Sequence, residues 1–315
     1  MENREITGVL TLTLNPCFDL TLTLGRLDED DVNRVSSELY QSAGKGVNVS
    51  CVLSRFGVGS AALVVAGEDS LDAYRANLPA GDFEVEFITA PGRIRENITA
   101  CAPGRCLKIN RTGFACTGET VDKLEAALAR RLKRGTLLVI SGSWPEGFEM
   151  RDFLRISELA AAKGARVALD AGHIGLPELR ELRPWLIKPN EHELAALTGL
   201  PVKTKPQTDK ALGALHGCGI SKVLLSLGPG GLLLSSDGAQ YAARAPKVKV
   251  CSTVGAGDSS LAGFLYGYLT GLPPAECVRY GAAFGTATVT LPGTGLVTRE
   301  LAEKILPRVE VGSEK

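Results

Sequence analysis

The sequence predicts an α/β protein, a mostly parallel central sheet flanked by helices and carrying a small antiparallel β-sheet lid. Three observations predict it. From about residue 121 onward helical and strand patterns alternate, the rhythm of a parallel sheet covered on both faces. Two strand-rich insertions, at about 18–42 and 83–112, break that rhythm and read together as one lid on a single domain spanning 1–315. Glycine is abundant at 36 residues and aromatics are scarce at 5%, which suits many tight turns better than a β-sandwich.

Each element has its own signal. Residues 9–14 form an apolar strand ended by Asn15-Pro16, and 20–24 alternate Leu and Thr with the period of a half-exposed strand. Acidic turn residues follow at 28–31, then an extended stretch at 35–40. After Gly46 the pattern turns helical, with Val47, Val49, Val52, Leu53 and Phe56 sharing a face and Gly57 closing it. Further along, helices are predicted at 121–133, 150–163, 191–198, 257–270 and 274–290. Strands are predicted at 137–140, 166–170, 185–188 and 223–227.

Charge narrows the function classes. Lys+Arg and Asp+Glu balance at 35 each, so no global field draws the chain to nucleic acid or to an anionic membrane. An anionic ligand must then be held by a few local cations. The eight cysteines, Cys17, Cys51, Cys101, Cys106, Cys116, Cys218, Cys251 and Cys277, show no C-x-x-C pair and read as small buried hydrophobes rather than a disulfide framework. His173, His192 and His216 have no nucleophile partner in sequence and read as structural or surface groups. Residues 1–5 do not resemble a secretory signal, and the uncharged run 280–298 is broken by Gly, Thr and Pro292. A cytoplasmic location is expected.

Four motifs carry chemistry. Ser252-Thr253-Val254-Gly255-Ala256-Gly257-Asp258 runs directly into an apolar helix. Its small residues leave backbone N–H groups bare at the positive helix end, and Asp258 stands beside them as a possible proton acceptor. A capped helix with a dipole-favoured carboxylate explains the segment equally well in isolation. Ser42-Ala43-Gly44-Lys45-Gly46-Val47-Asn48 sets a cation between glycines at a helix start, without the spacing of a Walker A loop. Lys188-Pro189-Asn190-Glu191-His192-Glu193 places Asn190 and Glu193 three apart, able to hold a hydrated Mg²⁺ or simply to form a capping box. Ser141-Gly142-Ser143 and Ser226-Leu227-Gly228-Pro229-Gly230-Gly231 are strand-end loops. All four signals therefore fall on the carboxyl edge of a parallel sheet.

Taken in order, these motifs resemble the ribokinase-like, or PfkB, family of sugar kinases. The match runs from Leu14-Asn15-Pro16 with Asp19, through Gly44-Lys45-Gly46 with Asn48, to Gly255-Ala256-Gly257-Asp258. The Leu-Asn-Pro opening points to the branch holding 1-phosphofructokinase and tagatose-6-phosphate kinase. The resemblance implies Asp258 as catalytic base and the amides of Gly255, Ala256 and Gly257 as an anion hole. It implies Asp19 and Asn48 on sugar hydroxyls, Gly44, Gly46 and Ser143 lining the sugar site, and Arg34, Lys45, Arg95 and Lys108 on the sugar's phosphate. ATP with Mg²⁺ would lie across Lys188, Asn190, Glu193, Ser226, Leu227, Gly228 and Gly231, with Asn190 and Glu193 reaching the metal through water. A homodimer through the lid is the implied assembly. The chain departs from the family at Ser42-Ala43 and at Lys108, both near the expected sugar site.

The expected reaction is phosphorylation of a ketohexose monophosphate, fructose 1-phosphate first and tagatose 6-phosphate or fructose 6-phosphate second. A kinase for a neutral sugar would leave three cations idle. A silent sugar-phosphate sensor on the same scaffold has no need of Asp258 and its glycines. A NAD-dependent enzyme lacks its G-x-G-x-x-G fingerprint.

Overall fold

A computed structural model describes residues 6–170, 172 and 174–314. The elements run β1 (Gly8–Thr13), β2 (Cys17–Leu24), β3 (Val35–Ala43), α1 (Lys45–Arg55), β4 (Ser60–Gly67), α2 (Leu71–Ala76), β5 (Glu84–Ala90), β6 (Arg95–Ala102) and β7 (Arg105–Asn110). They continue with α3 (Gly118–Arg131), β8 (Thr136–Ser141), α4 (Met150–Ala162), β9 (Arg166–Asp170), α5 (Leu176–Leu182), β10 (Leu186–Ile187), α6 (Glu191–Thr198), α7 (Lys205–His216) and β11 (Lys222–Ser226). The chain closes with β12 (Leu232–Ser236), β13 (Ala239–Arg244), α8 (Ala256–Thr270), α9 (Pro274–Thr288), α10 (Arg299–Ile305) and β14 (Glu310–Glu314).

Ten strands form one sheet in the order β14-β13-β12-β11-β10-β9-β8-β1-β4-β5. From β5 to β11 every pairing is parallel, and β12, β13 and β14 add an antiparallel edge. Alternate side chains of these strands enter two cores on opposite faces, Leu10 and Leu12 one and Val9 the other. One face is covered by α3, α4, α6 and α7, and the other by α1, α8, α9 and α10. Strand order reverses at β1, whose neighbours are β4 on one side and β8 on the other. A crevice for ligands is therefore expected above the carboxyl ends of β1 and β8.

The lid is the second sheet, in the order β3-β2-β6-β7, with two antiparallel pairs joined through a parallel β2–β6 contact. The second insertion contributes less than expected. Strand β5 pairs with β4 and belongs to the large sheet, so the lid portion begins at Arg95 rather than near 83. Pairing with β4 buries Ile88 and Ala90 of this edge strand in the main core, apolar area that a place on the lid would leave exposed.

Two of the eight cysteines are paired rather than free buried hydrophobes. Cys101 and Cys106 form a disulfide across β6 and β7, where the hairpin register sets them opposite each other with Cα atoms 4.2 Å apart. Sequence separation hides that pairing, because it depends on the hairpin turn at Pro103-Gly104. Of the others, Cys251 is exposed and Cys17, Cys51, Cys116, Cys218 and Cys277 are buried. His192 is exposed, His216 bonds to Ile220 O and Ser235 Oγ, and His173 lies outside the described residues. No described helix is long and apolar enough to cross a membrane.

Candidate active site

The start of α8 is built for an anion. Gly255 is its N-cap and adopts φ 75°, a left-handed conformation that costs an L side chain about 1 kcal/mol or more. Ala256 N–H turns back weakly to Thr253 O at 3.4 Å, whereas no acceptor faces the N–H groups of Gly255 and Gly257 among the described residues. Asp258 follows in the first turn and is buried. Its carboxylate accepts a hydrogen bond from Asn48 Nδ2 at 2.8 Å. Burial pushes the Asp258 carboxyl up to about 6, against the pull of Lys45, and the Asp170 charge adds to the rise.

Residue Lys45 reaches the same place from the opposite wall. Helix α1 begins at Lys45 because Gly46 lets the turn press against β1, where a Cβ would lie 2.6 Å from Thr13 Oγ1. Thr13 Oγ1 also accepts the Val47 N–H, and Tyr74 donates to Ala43 O, so the loop is held from both sides. The Lys45 ammonium pairs with Asp170 Oδ1 at 3.5 Å, and its side chain keeps 45% exposure. Lys188 pairs with the other oxygen, Asp170 Oδ2, at 3.4 Å, and is itself buried. A Cβ placed on Gly257 would come within 3.3 Å of Lys188 Nζ. Two ammonium groups thus flank the amino end of α8, where the helix dipole is already positive. That cluster is stable in a dry site only with anions in it, one of which Asp170 supplies and another of which a phosphate would.

Burial raises the Asp170 carboxyl, but Lys188 and Lys45 outweigh it and hold the group below the usual carboxylate range. Asp170 in turn holds the Lys45 ammonium above its ordinary value. Asp170 and Asp258 are therefore two buried carboxylates with opposite tendencies. One is locked as an anion and the other is poised to exchange a proton near neutrality.

The lid side supplies the polar contacts. Asp19 accepts hydrogen bonds from Asn97 Nδ2 at 3.1 Å and from Cys17 Sγ at 3.4 Å. Arg95 lies opposite Cys17 in the register, and one of its terminal nitrogens donates to Asn15 O at 3.4 Å. Its buried Nε has no acceptor among the described residues. Asn15 donates in turn to Ser143 Oγ at 3.2 Å, tying the end of β1 to the end of β8. Across the edge, Asn190 caps α6 in a reciprocal capping box with Glu193, with bonds of 2.9 Å and 2.8 Å. Ser226 bridges to Asn190, and Leu227 N bonds Gly231 O, which folds the Leu227–Gly228 turn over this end of the sheet. A cavity of about 270 Å³ opens here, lined in part by Lys188, Pro189 and Glu193.

Two residues expected at the sugar phosphate stand apart. Arg34 precedes Val35, which pairs with Leu24 at the far end of the β2–β3 hairpin, whereas Lys45 follows Ala43, opposite Cys17. At about 3.3 Å per residue the two hairpin ends are ~23 Å apart. Lys108 is exposed on the outer strand β7, opposite Thr99, on the lid face that also carries Asp19 but two strands away from it.

The chain matches the pfkB family carbohydrate kinases over residues 12–300. It belongs to that family. The kinase is 32% identical over 303 residues to a 1-phosphofructokinase of Bacillus subtilis, covering 96% of this chain and 99% of the relative. Against a 1-phosphofructokinase of Vibrio cholerae it is 29% identical over 306 residues, covering 97% and 96%. Its fold superposes on phosphofructokinase-2 of Escherichia coli solved in complex with substrates and products, with a TM-score of 0.88 at 26% identity, covering 96% of this chain and 99% of that one. An Arabidopsis thaliana ribokinase shares the fold with a TM-score of 0.72 at 20% identity, covering 96% and 99%. As a carbohydrate kinase the protein is a phosphotransferase acting on an alcohol.

Sequence motifs did not pick out Asp170 or Asn97 as site residues, and gave Asn15 a place in the Leu-Asn-Pro opening without a role. Asp170 ends a predicted strand on the same carboxyl edge as the recognised motifs, and that position was the available signal. Asn97 has no such signal, because only the parallel β2–β6 register brings it to Asp19.

Proposed function

We propose that this kinase transfers the γ-phosphoryl group of ATP to the free primary hydroxyl of a ketohexose monophosphate, with fructose 1-phosphate giving fructose 1,6-bisphosphate. The observation that carries the reading is Asp258: a buried carboxyl raised to about 6, at the amino end of α8 and between two ammonium groups. Such a group is a base at neutral pH without being so strongly paired that it cannot accept a proton. Asp19, Asn97 and Arg95 stand at the lid side, where a polar, anionic sugar would sit. The 1-phosphofructokinase relatives, aligned over nearly the whole chain, support the choice of sugar.

In this reading the sugar lies between the lid and Asn48, its phosphate toward Arg95, its reacting hydroxyl toward Asp258. Asp258 takes the hydroxyl proton as the oxygen bonds to the γ-phosphorus and the bond to the β-phosphate oxygen breaks, releasing ADP. The bare amides at residues 255 and 257, with Lys45 and Lys188, hold the charge that grows on the transferring group. Asn48 keeps the Asp258 carboxylate oriented. Mg²⁺ would neutralise the nucleotide phosphates, and the hard carboxylate donor this edge offers it is Glu193, since both oxygens of Asp170 pair with Lys45 and Lys188 and Asn190 Oδ1 accepts in the capping box. One Glu193 oxygen is already committed to the capping box, so its role toward the metal is through the other oxygen or a water.

A coupled ADP-release assay across fructose 1-phosphate, fructose 6-phosphate, tagatose 6-phosphate, fructose and ribose tests the reading. Fructose 1-phosphate should give the highest kcat/KM. Preference for fructose 6-phosphate, the phosphofructokinase-2 reaction, would move the substrate, and preference for free fructose would refute the phosphate clamp.

The lid also bears on assembly. Directly paired residues point to the same side of a sheet, so Leu20, Leu22, Tyr40, Ile98, Leu107 and Ile109 share the lid face opposite Asp19. Leu107 and Ile109 are each 47% exposed. A second copy of the chain covering this face makes a homodimer, which is the proposed assembly.

A further inference from the structure

The edge of the large sheet opposite the catalytic one carries an unusual run of cations. Each of four adjacent parallel strands has one or more at its amino end: Arg134 before β8, Lys163 and Arg166 at β9, Arg183 before β10 and Lys222 at β11. Two concave spaces lie between them. One, of about 350 Å³, is lined by Arg166, Arg183, Trp185, Ser221, Lys222 and Asp237 among others. The second, of about 440 Å³, is lined in part by Arg134, Lys163 and Arg166, so the two meet at Arg166. Among the described residues lining either space, Asp237 is the one carboxylate.

From this arrangement we infer a second anion site, for a small metabolite with a phosphoryl group at each end of a short sugar or carbon skeleton. Lys222 is only 7% exposed, and its ammonium lies 2.9 Å from Ser236 Oγ, 3.4 Å from Asp237 and 5.8 Å from the centre of the Trp185 ring. Asp237, its carboxylate partner among the described residues, is largely exposed, so a second anion reaching this buried ammonium is favoured. Arg134, Lys163 and Arg183 make no ion pair among the described residues. Elsewhere on this surface arginines find carboxylates, as Arg105 does Glu29, Arg130 does Glu86 and Arg155 does Glu125. Arg134, Lys163 and Arg183 stand with Lys222 on the walls of the trough, where Asp237 is the one carboxylate among the described lining residues. Arg183 also holds φ 43° as the C-cap of α5, a conformation uncommon for a residue with a side chain, which aims it across Gly219 at the edge of the trough.

Spacing selects two phosphoryl groups over one. Neighbouring strands lie about 4.8 Å apart, so the feet of β8 and β11 are ~14 Å from each other. A single phosphate can touch adjacent feet only, whereas groups at both ends of a sugar can engage Lys222 with Arg183 at one end and Arg134 with Lys163 at the other. Trp185 gives the skeleton an apolar wall. The same strands end at Asp170, Lys188 and Ser226 on the catalytic edge, a strand length away, so the trough is separate from the proposed sugar site.

The two tryptophans allow the sites to be read independently. Trp144 lies at the catalytic edge, where its carbonyl accepts from Asn15, and Trp185 lines the trough. The protein labelled with 5-fluorotryptophan is titrated with fructose 1,6-bisphosphate and, separately, with inorganic phosphate, following both fluorine resonances. The bisphosphate should shift the Trp185 resonance saturably, and the Arg134→Ala/Arg183→Asn double variant should raise that apparent Kd at least tenfold. Both replaced residues are exposed, and Asn tolerates the positive φ, so folding is preserved. A bisphosphate that moves only Trp144, a Trp185 shift unchanged in the double variant, or inorganic phosphate binding at Trp185 as tightly as the bisphosphate would each overturn the inference. Failure of the proposed sugar site registers at Trp144 alone.

Discussion

Replacing Asp258 with Asn separates the base from its cost. The substitution keeps volume and can still accept the Asn48 hydrogen bond, but it removes the proton acceptor and the buried charge. Turnover should fall by ~10²–10⁴ with substrate binding largely retained. Stability should move the other way. The carboxyl titrates at about 6 in the fold against an ordinary 3.8, a difference equivalent to ~3 kcal/mol at about 1.4 kcal/mol per pH unit. Because the folded value is the higher one, the native state binds more protons between the two. The wild-type protein therefore loses stability as pH rises from about 4 through 6 and carries the full cost above that. Asn does not titrate, so the variant's advantage is absent near pH 4 and complete above pH 6. With an unfolding entropy of about 2.1 cal/mol/K per residue, the gain amounts to a rise of ~4–5 °C in Tm. Melting both proteins from pH 4 to 8, alongside steady-state kinetics, tests both halves. Equal melting temperatures at pH 8, or turnover within a few-fold of wild type, would refute the assignment of Asp258 as a buried base.

Four further outcomes follow from the same geometry. In the wild-type enzyme kcat/KM should fall about tenfold per pH unit below about 6, as Asp258 becomes protonated, and a profile flat down to pH 5 contradicts this. Asp170→Asn leaves the buried Lys188 without its carboxylate partner and should cost ~3–5 kcal/mol, seen as a lower urea midpoint at constant slope. Arg95→Ala should raise KM for the sugar phosphate roughly tenfold or more while KM for ATP stays within twofold, since a charge-assisted contact is worth about 1.5–3 kcal/mol. Placing Glu at both Leu107 and Ile109 should halve the mass in sedimentation if the lid face is the dimer contact, and an unchanged dimer mass would place the contact elsewhere.

Much of this protein is written locally in its chain. Helix α8 follows from small residues leading into an apolar run, and β8, β9 and β11 from short buried segments between turns. The motifs around Lys45, Lys188 and Asp258 each announce a loop at a strand or helix end. Chain-local signals of this kind are sufficient for element type and for the edge on which a motif falls, because both depend on periodicity and on the handedness of parallel sheets. Other features depend on which distant segments pair. Strand β5 joined the large sheet and not the lid, Cys101 met Cys106, and the edge strands β12 to β14 added an antiparallel border that periodicity did not reveal. The site itself shows the same division. Residues near glycine-rich motifs were legible, whereas Asp170 acquired its role only when Lys45 and Lys188 converged on it from two other elements. Arg34 and Arg95 look equivalent as lone cations in strand-rich segments, yet strand register sets Arg95 beside Cys17 and Asn15 and Arg34 a hairpin's length away. Sequence determined which chemical groups were present and on which edge they would stand. Tertiary structure decided their partners and their burial, because desolvation and charge pairing arise only between groups that the fold has brought together from far along the chain.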